Sequence, residues 1–491
     1  MDENQIFGII VVLVCSIGYF FAWKFASREK MGVAILLLFG CGLLLRVFVS
    51  TDFFLHQWDE RYHALVAKNL MHHMLIPTLY ENPVFHFSEN SWTSGRIWLH
   101  KQPVPLWIMA ISMNLFGVNE IALRLPSIVL STLSIGLTYR IGKFFFSSKV
   151  GFVAAFLFSL NGLILELTGG RIATDHIDIF FLFFIELCIF FILEYSYKRK
   201  PVYNILAAMS LGAALLSKWL PALIVLPIWL LLVSDSKLYS AKQIIRSFTV
   251  FLFFTLAIAL PWQFYIYHYF PIEAHAESLL NFQHFTRVLD QQDGPIYYFI
   301  DKVRINYGEL IYLPLLWFLW ITFRDMKNLK QWALVIWSII PILFFSFSKT
   351  KMQGYIVFVS PALFIMTAAF FYRIKEMSSI NKWVIRLVLF LLIALPVRYS
   401  IERLKPFELR NRNPEWVDEL RKMNTEKINN GLLLNYKAPI EAMFYTNLTV
   451  YPDLPDTDRI EDSDTFSPAV KLNENGSLCW LYRFIIKSKL I

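Results

Sequence analysis

Apolar residues run along this chain in long, nearly unbroken blocks separated by short charged stretches. The blocks cover 6–23, 31–50, 120–140, 150–167, 178–195, 202–217, 219–233, 247–267, 305–322, 332–347, 354–371 and 383–398. Each approaches the roughly 20 residues that carry a helix across a bilayer. The pattern predicts an all-α polytopic membrane protein of about 12 transmembrane helices. The first block, Ile6–Trp23, follows Met-Asp-Glu-Asn-Gln. It has neither the positive leader nor the small-residue cleavage site of a signal peptide, so it is expected to be a retained helix.

Two regions break the pattern. Residues 51–119 are rich in charge, histidine and aromatics, and 104–116 within them is apolar but short. Runs of that length lie in the interface or fold back, so one or two interfacial helices are expected over 60–118. From 399 onward the chain becomes charged. There Pro414-Glu-Trp-Val-Asp-Glu-Leu-Arg-Lys-Met has helical periodicity, Leu432–Tyr436 reads as a buried strand and Ile440–Tyr445 as a helix. The expected organisation is a membrane module over 1–398, carrying the outer loop 51–119, and a small C-terminal α/β domain outside over 399–491.

Composition agrees with this: 56% of the residues are hydrophobic and 17% charged, against near a quarter charged in a soluble protein. Four cysteines are too few for a disulfide framework. A net charge of +9 would suit a nucleic-acid partner, but its distribution assigns it to membrane orientation. Lys24/Arg28/Lys30, Arg140/Lys143/Lys149, Lys198/Arg199/Lys200, Lys237/Lys242/Arg246, Arg324/Lys327/Lys330 and Arg373/Lys375/Lys382 fall in alternate loops. Short cationic loops mark the cytoplasmic side. Both termini then face outward, to the periplasm if the membrane is a bacterial inner membrane, and no nucleic acid is expected as a partner. All ten histidines, His56, His63, His72, His73, His86, His100, His176, His268, His275 and His284, fall in the outer segments. That wet loops tolerate histidine explains their absence from the spans, but not their one-sidedness.

Three groups of residues carry candidate chemistry. Trp58-Asp59-Glu60-Arg61-Tyr62 follows the second span; a carboxylate at such a boundary can deprotonate an acceptor hydroxyl when its surroundings tune it. Taken alone, the same stretch reads as the acidic first turn of an amphipathic helix. Gly170-Arg171-Ile-Ala-Thr-Asp175-His176-Ile-Asp178 opens onto the fifth apolar run. Acids lining such a mouth are functional by default, and an Arg171–Asp175 pair at i,i+4 is the structural alternative. Lys101, Lys218, Arg287, Lys349 and Lys351 lie at remote outer mouths. As a set they suggest convergence on a phosphate-like anion; singly, each would fit a headgroup contact or a snorkelling helix end. His56, Asp59, Glu60 and His63 fall on one face if helical, a ligand set suited to Zn or Mn. A helix through His56 would have to begin as the chain leaves the second span, which disfavours a divalent metal without removing it, and the sequence calls for no other cofactor. Glu186 lies mid-span, either paired with a neighbouring helix or part of the site.

The motifs also come in a familiar order: Asp59-Glu60-Arg61-Tyr62, Lys101-Gln102-Pro103, Leu123-Arg124-Leu125-Pro126-Ser127, Gly170-Arg171 with Asp175, Leu216-Ser217-Lys218, Pro261-Trp262, and Ser348-Lys349-Thr350-Lys351 with Tyr355. This series resembles the polyprenyl-phosphate-sugar-dependent glycosyltransferases of the GT-C superfamily, in the branch of protein O-mannosyltransferases and lipid A aminoarabinose transferases. It runs from the N-terminus to about residue 370, and the tail matches only in position. Arg61-Tyr62 follow Asp-Glu directly where some relatives insert a residue, and Gln102 stands where they have the first proline of Lys-Pro-Pro. The resemblance implies a GT-C fold and the inverting transfer of one sugar from an undecaprenyl- or dolichyl-phosphate donor to a lipid, glycan or protein acceptor outside the cytoplasm. It makes Asp59 the base, with Glu60 and Asp175 as further catalytic acids. Arg61, Tyr62, Lys101, Arg171, Lys218, Arg287, Lys349, Lys351 and Tyr355 become ligands of the phosphate or sugar. Two other classes compete. A flippase or transporter of lipid-linked glycans would carry charges mid-membrane on broken helices, and a glycan-binding scaffold would need no acid.

Overall fold

The computed structural model describes residues 2–81, 83, 92–377, 381–425, 431–453, 466–474 and 477–484; His86 lies outside them. The helices are α1 (Glu3–Ser27), α2 (Met31–Ser50), α3 (Asp59–Leu70), α4 (Pro103–Phe116), α5 (Glu120–Phe145), α6 (Ser148–Ser159) and α7 (Gly162–Thr168). They continue as α8 (Asp175–Lys198), α9 (Pro201–Lys218), α10 (Val225–Asp235), α11 (Ala241–Tyr269), α12 (Pro271–Thr286), α13 (Tyr298–Tyr307) and α14 (Tyr312–Arg324). The last are α15 (Leu329–Phe347), α16 (Ser360–Lys375), α17 (Lys382–Leu404), α18 (Glu415–Thr425) and α19 (Pro439–Tyr445). Short polar side chains start many of them by accepting an otherwise orphaned backbone N–H: Asp2 on α1, Asn119 on α5, Ser147 on α6 and Ser240 on α11.

Among the described residues, 8 helices are long and apolar enough to cross a membrane, or up to 9 if a bent pair counts as one span. That pair is α6 and α7, which the sequence reads as one continuous run over 150–167 and the structure bends by 54°. Asn161 makes the break. Its side-chain oxygen accepts from Ile164 N at 3.1 Å, while its amide donates to the Asn306 carbonyl at 2.6 Å. The runs 202–217, 219–233 and 305–322 are helical as α9, α10 and α14 but fall outside the set of 8. Burial separates centre from rim. The window of α8 is 78% buried and that of Gln353–Lys375, which ends in α16, is 94% buried, while those of α1, α11 and α17 are only 17–22%. Lipid is as apolar as leucine, so close backbone approach, more than hydrophobicity, packs such helices. Gly142 of α5 shows it: a Cβ there would lie 2.8 Å from the Gly151 Cα of α6.

A second core forms beyond one end of the bundle. Tyr62, Leu65 and Leu70 of α3, Trp98, and Leu106 and Met109 of α4 pack there with Val417, Leu433 and Phe444 of the tail. The tail strands β1 (Gly431–Leu434), β2 (Thr449–Val450), β3 (Phe466–Glu474) and β4 (Ser477–Phe484) form one sheet in the order β2-β1-β4-β3. β1 and β2 are parallel, and the other pairs antiparallel. Polar ties fasten this unit to the site-bearing helices. Lys68 Nζ donates to the Met443, Phe444 and Thr446 carbonyls at 2.8, 3.0 and 2.7 Å, completing the C-terminal end of α19. Arg421 and Tyr445 both reach Glu120, at 2.8 and 2.6 Å. α17 runs unbroken across the expected boundary at 398/399, to Leu404.

Candidate active site

α3 begins abruptly because Trp58 adopts φ 76°, ψ −136°, a region that costs a non-glycine residue about 1–3 kcal/mol. The turn makes Asp59 the first helical residue. Its carboxylate lies 3.1 Å from Lys101 Nζ. Burial would raise the Asp59 carboxyl, but Lys101, His63 and His100 outweigh that and hold it below the usual carboxylate range. Lys101 is likewise held protonated above its ordinary value: burial works against the charge, and Asp59, Glu277 and Asp175 prevail. The backbone placing Lys101 is pinned by Leu79 N to Arg96 O and Trp98 N to Pro77 O, each 2.8 Å, and Pro103 opens α4 just behind it. Gln102 accepts from Gln263 Nε2 of α11 at 3.0 Å. A side-chain tie to a neighbouring helix thus holds the residue beside Lys101.

A second acid–lysine pair lies close by. Asp178, in the first turn of α8, accepts from Lys218 at the end of α9 and from Thr174. Lys218 sits 4.7 Å above the ring of Tyr355, and the charges of Lys101 and Asp59 reach it as well. Gly354 permits this arrangement, since a Cβ there would collide with both Asp178 and Thr174. The chain is again strained beside the charges. Trp219, directly after Lys218, has φ 64°, ψ −136°, while Thr174 and Asp175 have φ 70° and 30°. Both carboxylates of the α8 start are thereby aimed by packing rather than by backbone preference. Asp175 does not take Arg171, the i,i+4 alternative; its two oxygens lie 2.9 and 3.2 Å from His63 Nδ1.

Behind these pairs sits a closed network. Glu60 is fully buried, and both of its oxygens are occupied: Arg124 at 2.7 and 2.9 Å, His176 Nε2 at 3.1 Å, His56 N at 2.6 Å and His56 Nδ1 at 2.7 Å. Asp52 gathers His56 Nε2 at 3.0 Å, Arg171 at 3.1 Å, Arg410 at 2.6 Å and Arg412 at 3.4 Å. Burial would raise the Asp52 carboxyl, but His56, Arg171 and Arg410 hold it below the usual range. Gly170, at φ 71°, leaves room for Glu60, which a Cβ would strike.

The remaining expected residues divide. Arg61 pairs with Glu441 of α19 at 3.0 Å and so ties α3 to the tail, and Tyr62 packs its ring 5.0 Å from Trp92. Lys351 is buried and donates to the Ser346 and Ser348 carbonyls at 2.8 and 2.5 Å, closing the end of α15. Arg287 and Lys349 are exposed along one edge, where Thr350 Oγ1 bonds Leu289 N and Arg287 O. The metal candidates His56, Asp59 and His63 do not converge, because both nitrogens of His56 face Asp52 and Glu60. Among the described residues no group of three or more His, Cys, Asp or Glu could hold a metal ion. Glu186 lies about 12 Å along α8 from Asp178 and accepts from Thr138 of α5 at 2.6 Å. A cavity of about 560 Å³ runs between Trp92, Ile97 and Leu99 and the inner side of α12, where Glu277 meets His100 at 3.1 Å.

Sequence reasoning missed Asp52, Arg410 and Arg412 altogether. It quoted Arg124 and His176 without giving them a place in the site, and read Asp178 as an acid of the mouth without its lysine partner. An aspartate at the end of an apolar run and the pair of arginines at 410 and 412 were the available signals.

Residues 100–265 match the family described as dolichyl-phosphate-mannose-protein mannosyltransferase. An uncharacterised protein of Aquifex aeolicus is 28% identical over 358 residues, 70% of this chain and 66% of that protein. The undecaprenyl phosphate-alpha-4-amino-4-deoxy-L-arabinose arabinosyl transferase 2 of Proteus mirabilis is 22% identical over 361 residues, 69% of this chain and 59% of its own length. The chain thus spans 59–66% of the length of these relatives. Among solved structures it is similar to ArnT from Cupriavidus metallidurans bound to undecaprenyl phosphate, at a TM-score of 0.60 and 17% identity over 87% of both chains. It is also similar to the archaeal oligosaccharyltransferase AglB from Archaeoglobus fulgidus, in complex with an inhibitory peptide and a dolichol-phosphate. There the TM-score is 0.53 and the identity 14%, over 85% of this chain and 64% of that one. ArnT and AglB are GT-C glycosyltransferases, and the resemblance carried by the motif order is borne out.

Proposed function

We propose that this chain is an integral membrane glycosyltransferase moving one sugar from a polyprenyl-phosphate donor to a lipid, glycan or protein acceptor. Its similarity to aminoarabinose transferases named for undecaprenyl phosphate makes that lipid the leading donor carrier. In this reading all twelve apolar runs cross a bacterial inner membrane, α3 and α4 lie along its outer surface, and both termini face the periplasm. The observation that carries the proposal is the gathering of two acid–lysine pairs, Asp59–Lys101 and Asp178–Lys218, beside Tyr355.

The chemistry follows from what such pairs can exchange. A donor phosphate is an anion, and on arrival it competes for Lys101, Lys218 and the edge cations Arg287 and Lys349. Loss of part of its partner leaves Asp59 free to accept the proton of an acceptor hydroxyl. The acceptor oxygen then attacks the anomeric carbon opposite the phosphate, and the configuration inverts. As the carbon–oxygen bond to phosphate breaks, its electron pair stays on the phosphate, where fixed cations in a poorly hydrated mouth stabilise it. Base catalysis of this kind contributes on the order of 10² to 10⁴ in rate. Glu60 and Asp175 act by position, Glu60 framing α3 and Asp175 holding His63, while Arg61 and Lys351 serve the scaffold.

Membranes containing the chain, incubated with candidate undecaprenyl-phosphate sugars, are expected to yield a sugar-bearing product by mass spectrometry. No transfer above membranes lacking the chain, across lipid, glycan and protein fractions, would reject the function.

A further inference from the structure

His63 is fully buried on α3, one turn beyond Asp59. Residues at i and i+4 on a helix are neighbours on one face, with Cβ atoms roughly 5–6 Å apart. Its Nδ1 faces both oxygens of Asp175, at 2.9 and 3.2 Å. A carboxylate in that place keeps the proton on Nδ1 and leaves Nε2 as a bare acceptor. That Nε2 is buried and, among the described residues, has no hydrogen-bond partner. Leaving a buried acceptor unmatched costs about 1–3 kcal/mol. The charged groups near it are Asp175 from α8 and Asp59 from its own helix, with Lys101, just before α4, paired to Asp59, while Trp98 packs edge-on with ring centres 5.8 Å apart. The left-handed Thr174 and Asp175 show that the chain accepts strain to keep the Asp175–His63 contact.

We propose that His63 is the proton acceptor behind Asp59: a positioning residue that relieves the carboxylate of the proton taken from the acceptor. The inference rests on the glycosyltransferase reading. In the step, the acceptor hydroxyl gives its proton to an Asp59 oxygen while the acceptor oxygen bonds to the anomeric carbon and the phosphate departs with the bonding pair. The proton then passes from Asp59 to His63 Nε2. Asp59 is again a carboxylate, and the imidazolium lies between it and Asp175, with no other reactant required. The Asp175 carboxylate on the far nitrogen stabilises the imidazolium so formed. Asp59 needs this help, since Lys101 at 3.1 Å favours its ionised form and makes it a weak base, poor at retaining a proton.

The test uses the full chain in membranes supplied with the undecaprenyl-phosphate sugar that it transfers. His63→Gln keeps the volume and is expected to lower kcat about 10²-fold, with donor KM and thermal midpoint near those of the unsubstituted chain. Asp175→Asn should lose a similar factor, and the double variant no more than the worse single one, because the two residues act as a unit. The proposal is overturned if His63→Gln keeps kcat within about threefold of the unsubstituted chain, or if its loss lies entirely in KM or in stability. It is also overturned if the two losses multiply. Asp59→Asn, run alongside, separates the failures: full activity in that variant removes the base itself, whatever His63 does.

Discussion

Asp59 and Glu60 are adjacent on α3, yet the fold treats their carboxylates in opposite ways. Among the described residues Asp59 has one ion-pair partner, a long lysine side chain that is itself partly open to solvent, at 18% exposure. Glu60 has none of that freedom: Arg124, His176 and His56 occupy both oxygens, and neither Glu60 nor Arg124 is exposed at all. A carboxylate held by one flexible cation can be released when a competing anion arrives. One held by several rigid donors cannot, because each vacated donor would remain buried and unpaired. Chemistry therefore belongs to the loosely held acid and architecture to the tightly held one. The same division separates Lys218, poised over Tyr355, from Lys351, which is used up closing a helix.

Removing the charge of Glu60 should have the largest effect on stability. Glu60→Gln leaves Arg124 uncompensated in a fully buried place and is expected to cost about 3–5 kcal/mol, read as a large fall in thermal midpoint in detergent. An unchanged midpoint would place Glu60 with Asp59. Gly354→Ala strikes the other side of the comparison, since its Cβ meets Asp178 and Thr174. It should lower transfer more than tenfold for a stability loss of about 1–3 kcal/mol, and normal transfer would show that the Asp178–Lys218 geometry is dispensable.

The pH dependence is shared by both acids. Asp59 and Glu60 are each held below their usual values of 3.8 and 4.5 despite burial, Asp59 by Lys101 and Glu60 by Arg124 and His56. Between the lowered value and the usual one, the unfolded chain binds more protons than the folded one. Their contribution is therefore complete above about 4.5 and drains away as pH falls below that. Midpoints measured downward from pH 6 should stay level until about 4.5 and then drop; a decline beginning at pH 6 would assign the loss to other groups. The smallest effect is expected at Lys349, exposed at the rim. Lys349→Ala should raise donor KM by no more than about threefold, with kcat unchanged.

Much of this was legible in the sequence, for reasons the structure makes plain. Apolar run length gave a helix at every expected position, because in lipid each backbone group must be satisfied within its own helix. The kink at Asn161 was not legible, since it depends on a bond to Asn306, remote in sequence. Asp59, Lys101, Asp175 and Lys218 could be picked out because acids and lysines are rare at such mouths, and Tyr355 through the motif order that it closes. Their pairing could not. Asp175 meets His63 across 112 positions, and Arg61 turns to the tail because helix register carries it to the tail-facing side of α3. The Asp52 cluster stayed hidden for the same reason, as Arg410 and Arg412 return from a segment whose composition reads as a separate domain.

The most direct test of the central claim sets Asp59→Asn beside Glu60→Gln in one preparation, measuring sugar transfer and thermal midpoint for each. Asp59→Asn should lose on the order of 10² to 10⁴ in kcat while its midpoint stays within about 4 °C of the unsubstituted chain, and Glu60→Gln should fall chiefly in midpoint. A folded Asp59→Asn protein that transfers sugar at the normal rate would contradict the assignment of this carboxylate as the base.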